Sequence, residues 1–111
     1  MEIQFDNSKF EELCNNHRDL VRSYGDRMAG VIRRRLDDLD AANSLEELRN
    51  LPGRCHELKG DRAGQLSIDL VHPQRLIFVP LEDPFPTKPD GGMDWAQIKS
   101  ISVLGIEDTH E

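Results

Sequence analysis

The pattern of apolar and polar positions divides the chain into a helical half and an alternating half. "IQF" near the start is a short alternating run of the kind that forms an edge strand. "NSKFEELC" follows, with Asn7 and Ser8 as candidate N-caps and Glu11 three residues after Ser8, in capping-box spacing. Leu20, Val21, Tyr24, Met28, Val31, Ile32, Leu36 and Leu39 then recur at steps of three or four, which predicts one long helix with a single apolar stripe. Gly25 and Gly30 each weaken that helix by about 1 kcal/mol relative to alanine, so packing has to hold it. "SLEEL" repeats the capping-box spacing with Ser44 and Glu47, and "LPG" at 51–53 ends the helical half.

Beyond Gly53 the period becomes two. "RCHELK" reads as a strand and "GDRAG" as the turn after it. "QLSIDLV" places Leu66, Ile68 and Leu70 on one face, with Gln65, Ser67 and Asp69 on the other. "HPQ" is a turn, and "RLIFVPL" is apolar enough for a central strand until Pro80 interrupts it. "EDPFPTKPDGGMDW" is a loop by composition, and "IKSISVLGIED" returns to strand. The expected class is α+β: N-terminal helices packed on one face of a twisted, mostly antiparallel sheet, in one domain over residues 1–111.

Composition narrows the function. Aromatic residues are only 5% of the chain, so the core rests on Leu, Ile and Val. No apolar run is long enough to span a bilayer and no signal-peptide pattern opens the chain. Cys14 and Cys55 form neither a disulfide framework nor a metal-ligand spacing and read as small core residues, as expected for a cytoplasmic protein. The net charge of −7 opposes strong non-specific binding to a polyanion. The charge is unevenly spread: residues 1–53 carry 8 basic and 11 acidic groups, 54–81 carry 4 and 3, and 82–111 carry 2 and 7. The middle segment is therefore the most hospitable place for a phosphate.

Four stretches carry candidate chemistry. In "VIRRRLDDLD" the arginines face aspartates at i,i+4, Arg33 with Asp37 and Arg34 with Asp38, which favours a solvated, nearly neutral face over a phosphate site. "GRCHELKGDRAG" gathers Arg54, His56, Lys59 and Arg62, and alternation would set Arg54 and His56 on one strand face. An imidazole there could move a proton near neutral pH, or could be an ordinary surface histidine beside strand-end charges. Arg75 opens the most apolar strand, so either a carboxylate (Asp69 or Asp108) anchors it or it faces a ligand. In "GIEDTHE", extended backbone would point Ile106, Asp108 and His110 the same way, pairing a carboxylate with an imidazole; a frayed terminus is the alternative. His17 and His72 have no partner that the sequence identifies.

Taken together, "RRRLDDLDAANSLEELRNLPG", "CHELKGDRAGQLSIDLVHPQRLIF", "KPDGGMDW" and "IEDTH" resemble the HigB-like branch of the RelE/ParE toxin superfamily of type II toxin–antitoxin systems, over residues 30–110. The resemblance implies two helices against a twisted antiparallel sheet. It also implies an endoribonuclease that cleaves messenger RNA on the ribosome without metal or other cofactor, and that is neutralised by a HigA-like helix-turn-helix antitoxin. DNA would be met only through the antitoxin complex. By position, His56, Asp108 and His110 match the family's acid–base residues and Arg75 its phosphate-stabilising arginine, with Arg54, Lys59 and Arg62 available to the RNA backbone. Gln74 and Thr109 stand where the subgroup carries tyrosines, which points to altered catalysis or substrate. Two other functions fit the same fold: a non-nucleolytic toxin acting on a protein such as DNA gyrase, and a degenerate toxin acting mainly through its antitoxin and operon regulation.

Overall fold

The computed structural model describes residues 1–108. Five strands, β1 (Glu2–Phe5), β2 (His56–Glu57), β3 (Leu66–Asp69), β4 (Gln74–Pro80) and β5 (Ser100–Asp108), form one sheet in the order β1-β5-β4-β3-β2. The β2–β3, β3–β4 and β4–β5 pairs are antiparallel, and β1 joins the edge beside β5 in parallel. The helices α1 (Ser8–Cys14) and α2 (His17–Ala41) bury their apolar positions against this sheet, so the architecture is the α+β arrangement expected from the pattern. No helix among the described residues is long and apolar enough to cross a membrane.

The core lies between Leu20, Met28, Ile32, Leu36 and Leu39 of α2 and Leu66, Ile68, Leu76, Phe78, Ile101 and Val103 of the sheet. Burying side chains of this size contributes about 1.5–3 kcal/mol each, which offsets the glycines and the modest helix propensity. Asn7 rather than Ser8 caps α1, its Oδ1 accepting the Phe10 N–H at 3.0 Å. Asn16 does the same for α2 through Asp19 N–H at 3.2 Å.

Three local expectations are corrected. The long helix is broken at Gly25, where φ is +84° and ψ 164°, a conformation that glycine adopts without a Cβ penalty. Tyr24, assigned by spacing to the apolar stripe, consequently stays 36% exposed. "SLEEL" forms a 3-10 helix, Leu45–Asn50, in which Leu45 and Leu48 share a buried face at i,i+3. Ser44 makes no side-chain cap there; Glu47 reaches back instead to Asn43 N–H at 3.2 Å. "RCHELK" contributes only the two residues of β2, because Arg54 lies in left-handed backbone with φ +48°.

Between β4 and β5 the register shifts at Ile77/Phe78: Ile77 faces Gly105 while Phe78 faces Val103, so Leu104 is an extra residue in β5. Val103 and Ile106 therefore both join the helix side, and side-chain parity is inverted from Gly105 onward.

Candidate functional site

The sheet face away from the helices holds most of the residues with chemical potential. Cross-strand partners share a face, so the pairs His56↔Ser67↔Ile77 and Asp69↔Arg75↔Glu107 form two adjacent rows on that side. Arg75 is 8% exposed. Its Nε lies 3.3 Å from Asp69 Oδ1, so Asp69 is the anchoring carboxylate that a buried guanidinium requires. Asp69 is itself tightly held. Its N–H donates to Gly53 O at 2.7 Å, its carbonyl accepts from Arg35 Nε at 2.8 Å, and its Oδ2 accepts from Arg54 Nε at 2.7 Å. One carboxylate thus lies between two guanidinium groups. The Asp69 hydrogen bond and charge hold the Arg54 pKa above its ordinary value.

His56 is oriented by its own chain. Its Nδ1 lies 2.7 Å from the Arg54 carbonyl, and a carbonyl can only accept, so Nδ1–H is the donor. In the neutral ring the Nε2 lone pair is then unprotonated and able to take a proton. The left-handed backbone at Arg54 produces this contact, and it replaces the expected alternation of Arg54 and His56 along a strand. Beside His56, the Ser67 hydroxyl is fully buried without a hydrogen-bond partner among the described residues.

Arg62 leaves the β2–β3 connection from a 3-10 turn (Gly60–Arg62) that Lys59 precedes. Its Nε donates to Gln65 Oε1 at 3.0 Å, while the two terminal nitrogens donate to both oxygens of Glu107 at 3.0 and 2.7 Å. Because β4 lies between β3 and β5, this side chain crosses the face above β4 and ties the connection to the far strand. Arg62 holds the Glu107 carboxyl below the usual glutamate range.

The predicted site residues are therefore partly united. His56, Arg75, Arg54 and Arg62 converge on one side of the sheet. Asp108 pairs with Gln74, and the parity switch at Leu104 sends it to the helix side, whereas Glu107 lies beside Arg75. His110 and Thr109 lie outside the described residues. Sequence reasoning missed Glu107 and Ser67; only the strand register, which sets Glu107 beside Arg75 and Ser67 beside His56, identifies them. Among the described residues, no three His, Cys, Asp or Glu side chains gather as a metal site. Cys14 and Cys55 are set apart from this face as core-packed thiols, burial pushing the first up to about 11 and the second to about 12.

No protein-family model matches the chain, and no curated protein matches its sequence. Solved structures do match its shape. The YoeB/ParE toxin from Agrobacterium tumefaciens superposes with a TM-score of 0.58 at 14% identity, covering 99% of this chain and 100% of that one. The YoeB dimer from Staphylococcus aureus gives 0.55 at 18% identity, covering 100% and 98%. The YoeB–YefM complex from the same organism gives 0.55 at 16% identity, with the same coverage. From end to end, the chain has the fold of YoeB- and ParE-type toxins.

Proposed function

We propose that residues 1–111 act as one toxin domain of a type II toxin–antitoxin system, cleaving messenger RNA on the ribosome by a metal-free route. The observation that carries this reading is His56, its Nδ1–H fixed on the Arg54 carbonyl, on the same sheet face as the buried Arg75. His56 Nε2 takes the proton of an RNA 2′-hydroxyl. The 2′-oxygen then bonds to the adjacent phosphorus, and the bond to the 5′-oxygen of the next nucleotide breaks. The products are a 2′,3′-cyclic phosphate and a 5′-hydroxyl. Arg75 faces the charge that develops on the phosphoryl oxygens, and Arg54, Lys59 and Arg62 hold flanking phosphates. His110 supplies the proton to the leaving 5′-oxygen. The subtype is HigB-like, and the partner is a HigA-like helix-turn-helix antitoxin, through which alone the protein meets operator DNA. The YoeB–YefM complex supports the expectation of a protein partner.

The test is 5′-end mapping of messenger RNA after induction. Wild type produces new 5′-hydroxyl ends and growth arrest; His56→Ala lowers cleavage about 10²–10⁴-fold while folding persists. Cleavage undiminished in His56→Ala removes the histidine from the chemistry.

One observation favours a second reading, a non-nucleolytic toxin that acts on a protein such as DNA gyrase or mainly through its antitoxin. Asp69 and Glu107 already occupy the arginine forks that a phosphate needs, on a chain of charge −7. Arrest that survives His56→Ala without new RNA ends would establish it.

A further inference from the structure

At the β3–β4 end of the sheet, on the helix side, a cavity of about 500 Å³ opens to solvent. Met28, Val71 and Ile106 give it apolar walls, and Tyr24, His72 and Gln74 bring polar groups to it. A smaller cleft of about 50 Å³ shares His72 and Gln74 with it and is lined further by Asp69 and Arg75. The His72–Gln74 turn therefore separates an apolar, aromatic-lined space from the guanidinium that the proposed reaction assigns to a phosphate.

Three features fit one kind of occupant. Tyr24 is 36% exposed because the Gly25 break takes it out of the core stripe, leaving a ring available for stacking. The Gln74 amide, the His72 imidazole and the Tyr24 hydroxyl each donate and accept, matching the mixed edge of a heterocyclic base. The volume lies in the range of pockets that take small ligands. The cleft beside Arg75 adjoins the cavity across the shared His72–Gln74 turn, so a base in the cavity and a phosphate at Arg75 would be near neighbours on one strand.

We propose that this cavity is a nucleobase subsite, in which Tyr24 stacks on a base of the RNA strand whose phosphate Arg75 holds. The inference rests on the ribonuclease reading and extends it to the choice of substrate nucleotide.

The experiment measures fluorescence anisotropy of a short single-stranded RNA, 2′-O-methylated throughout to prevent cleavage, and of copies with one abasic nucleotide moved through each position. In wild type, one abasic position weakens binding about 5–150-fold, the equivalent of a stacking contact. Tyr24→Leu loses the same factor with intact RNA and nothing further with that abasic copy, while Tyr24→Phe retains binding. Circular dichroism checks that both variants fold. Intact RNA bound equally by Tyr24→Leu and wild type overturns the proposal. So does an equal loss for intact RNA and all abasic copies. Unchanged RNA binding with loss of a co-expressed antitoxin from Tyr24→Leu assigns the cavity to a peptide and overturns it too. Cleavage of unmodified RNA, measured in parallel, reports on the ribonuclease reading separately from the base dependence.

Discussion

Replacing Asp69 with asparagine tests whether Arg75 depends on this carboxylate. Asp69 Oδ1 is 3.3 Å from Arg75 Nε, and Oδ2 is 2.7 Å from Arg54 Nε. The Arg75 side chain is 9% exposed and the Arg54 side chain 65% exposed, so the two halves of the cluster have different worth. Breaking a buried ion pair by removing one partner costs about 3–5 kcal/mol, whereas an exposed pair contributes about 0–1 kcal/mol. Asp69 is itself 28% exposed, and asparagine retains one oxygen acceptor, both of which reduce the loss. The expected destabilisation is about 1.5–3 kcal/mol, nearly all from Arg75. Urea unfolding of Asp69→Asn beside Arg54→Ala measures it, with Arg54→Ala costing clearly less because its guanidinium is solvated. Asp69→Asn within about 0.5 kcal/mol of wild type would refute the account, as would an equal cost for Arg54→Ala. The same variant should bind single-stranded RNA more tightly, because the carboxylate competing for both guanidinium groups is gone.

The Arg62–Glu107 pair makes a pH prediction. The folded state lowers the Glu107 pKa, so its contribution is present above the ordinary glutamate range and lost as pH falls through and below it. With both side chains partly exposed, at 32% and 46%, it is worth at most about 1 kcal/mol. The stability gap between wild type and Glu107→Gln should be present at pH 7 and vanish once the pH falls through the lowered Glu107 pKa; a gap of full size in strong acid contradicts the pairing. Gly53→Ala should cost about 2–4 kcal/mol, because at φ +113° an added Cβ would lie 2.6 Å from Ile68 Cγ1 and 2.9 Å from Arg35 Nε. Gly25→Ala, at φ +84° and ψ 164° with open space around it, should cost about 1–3 kcal/mol from backbone strain alone; thermal melts of the two variants compare them directly. Native Cys14 and Cys55, with pKa values of about 11 and about 12, should react with a disulfide reagent at pH 8 far more slowly than in urea. Rapid native labelling would show that the core opens.

The α+β class, the edge position of β1, and strands β3 to β5 were legible from periodicity alone, because one-sided burial forces a period of two or 3.6 on the residues that meet the core. Arg75 was legible as a cation needing a partner, since a guanidinium at the start of an apolar strand requires one. Local backbone decided what periodicity could not. A positive φ at Gly25 split the helix and left Tyr24 beside a cavity, and a positive φ at Arg54 put its carbonyl on the His56 ring. Arg33–Asp37 was legible as an i,i+4 pair, whereas the sequence offered Asp69 or Asp108 for Arg75 and no partner for Arg62; strand register selected Asp69 for the first and brought Glu107 to the second. The end of β5 shows the division best. Alternation from Ile101 and Val103 would turn Glu107 toward the helices and Asp108 toward Arg75, but one extra residue at Leu104 reverses both. The chain by itself specified which residues carry charge and which must be buried; the bulge, formed only when β4 and β5 pair, decided which carboxylate faces the arginine.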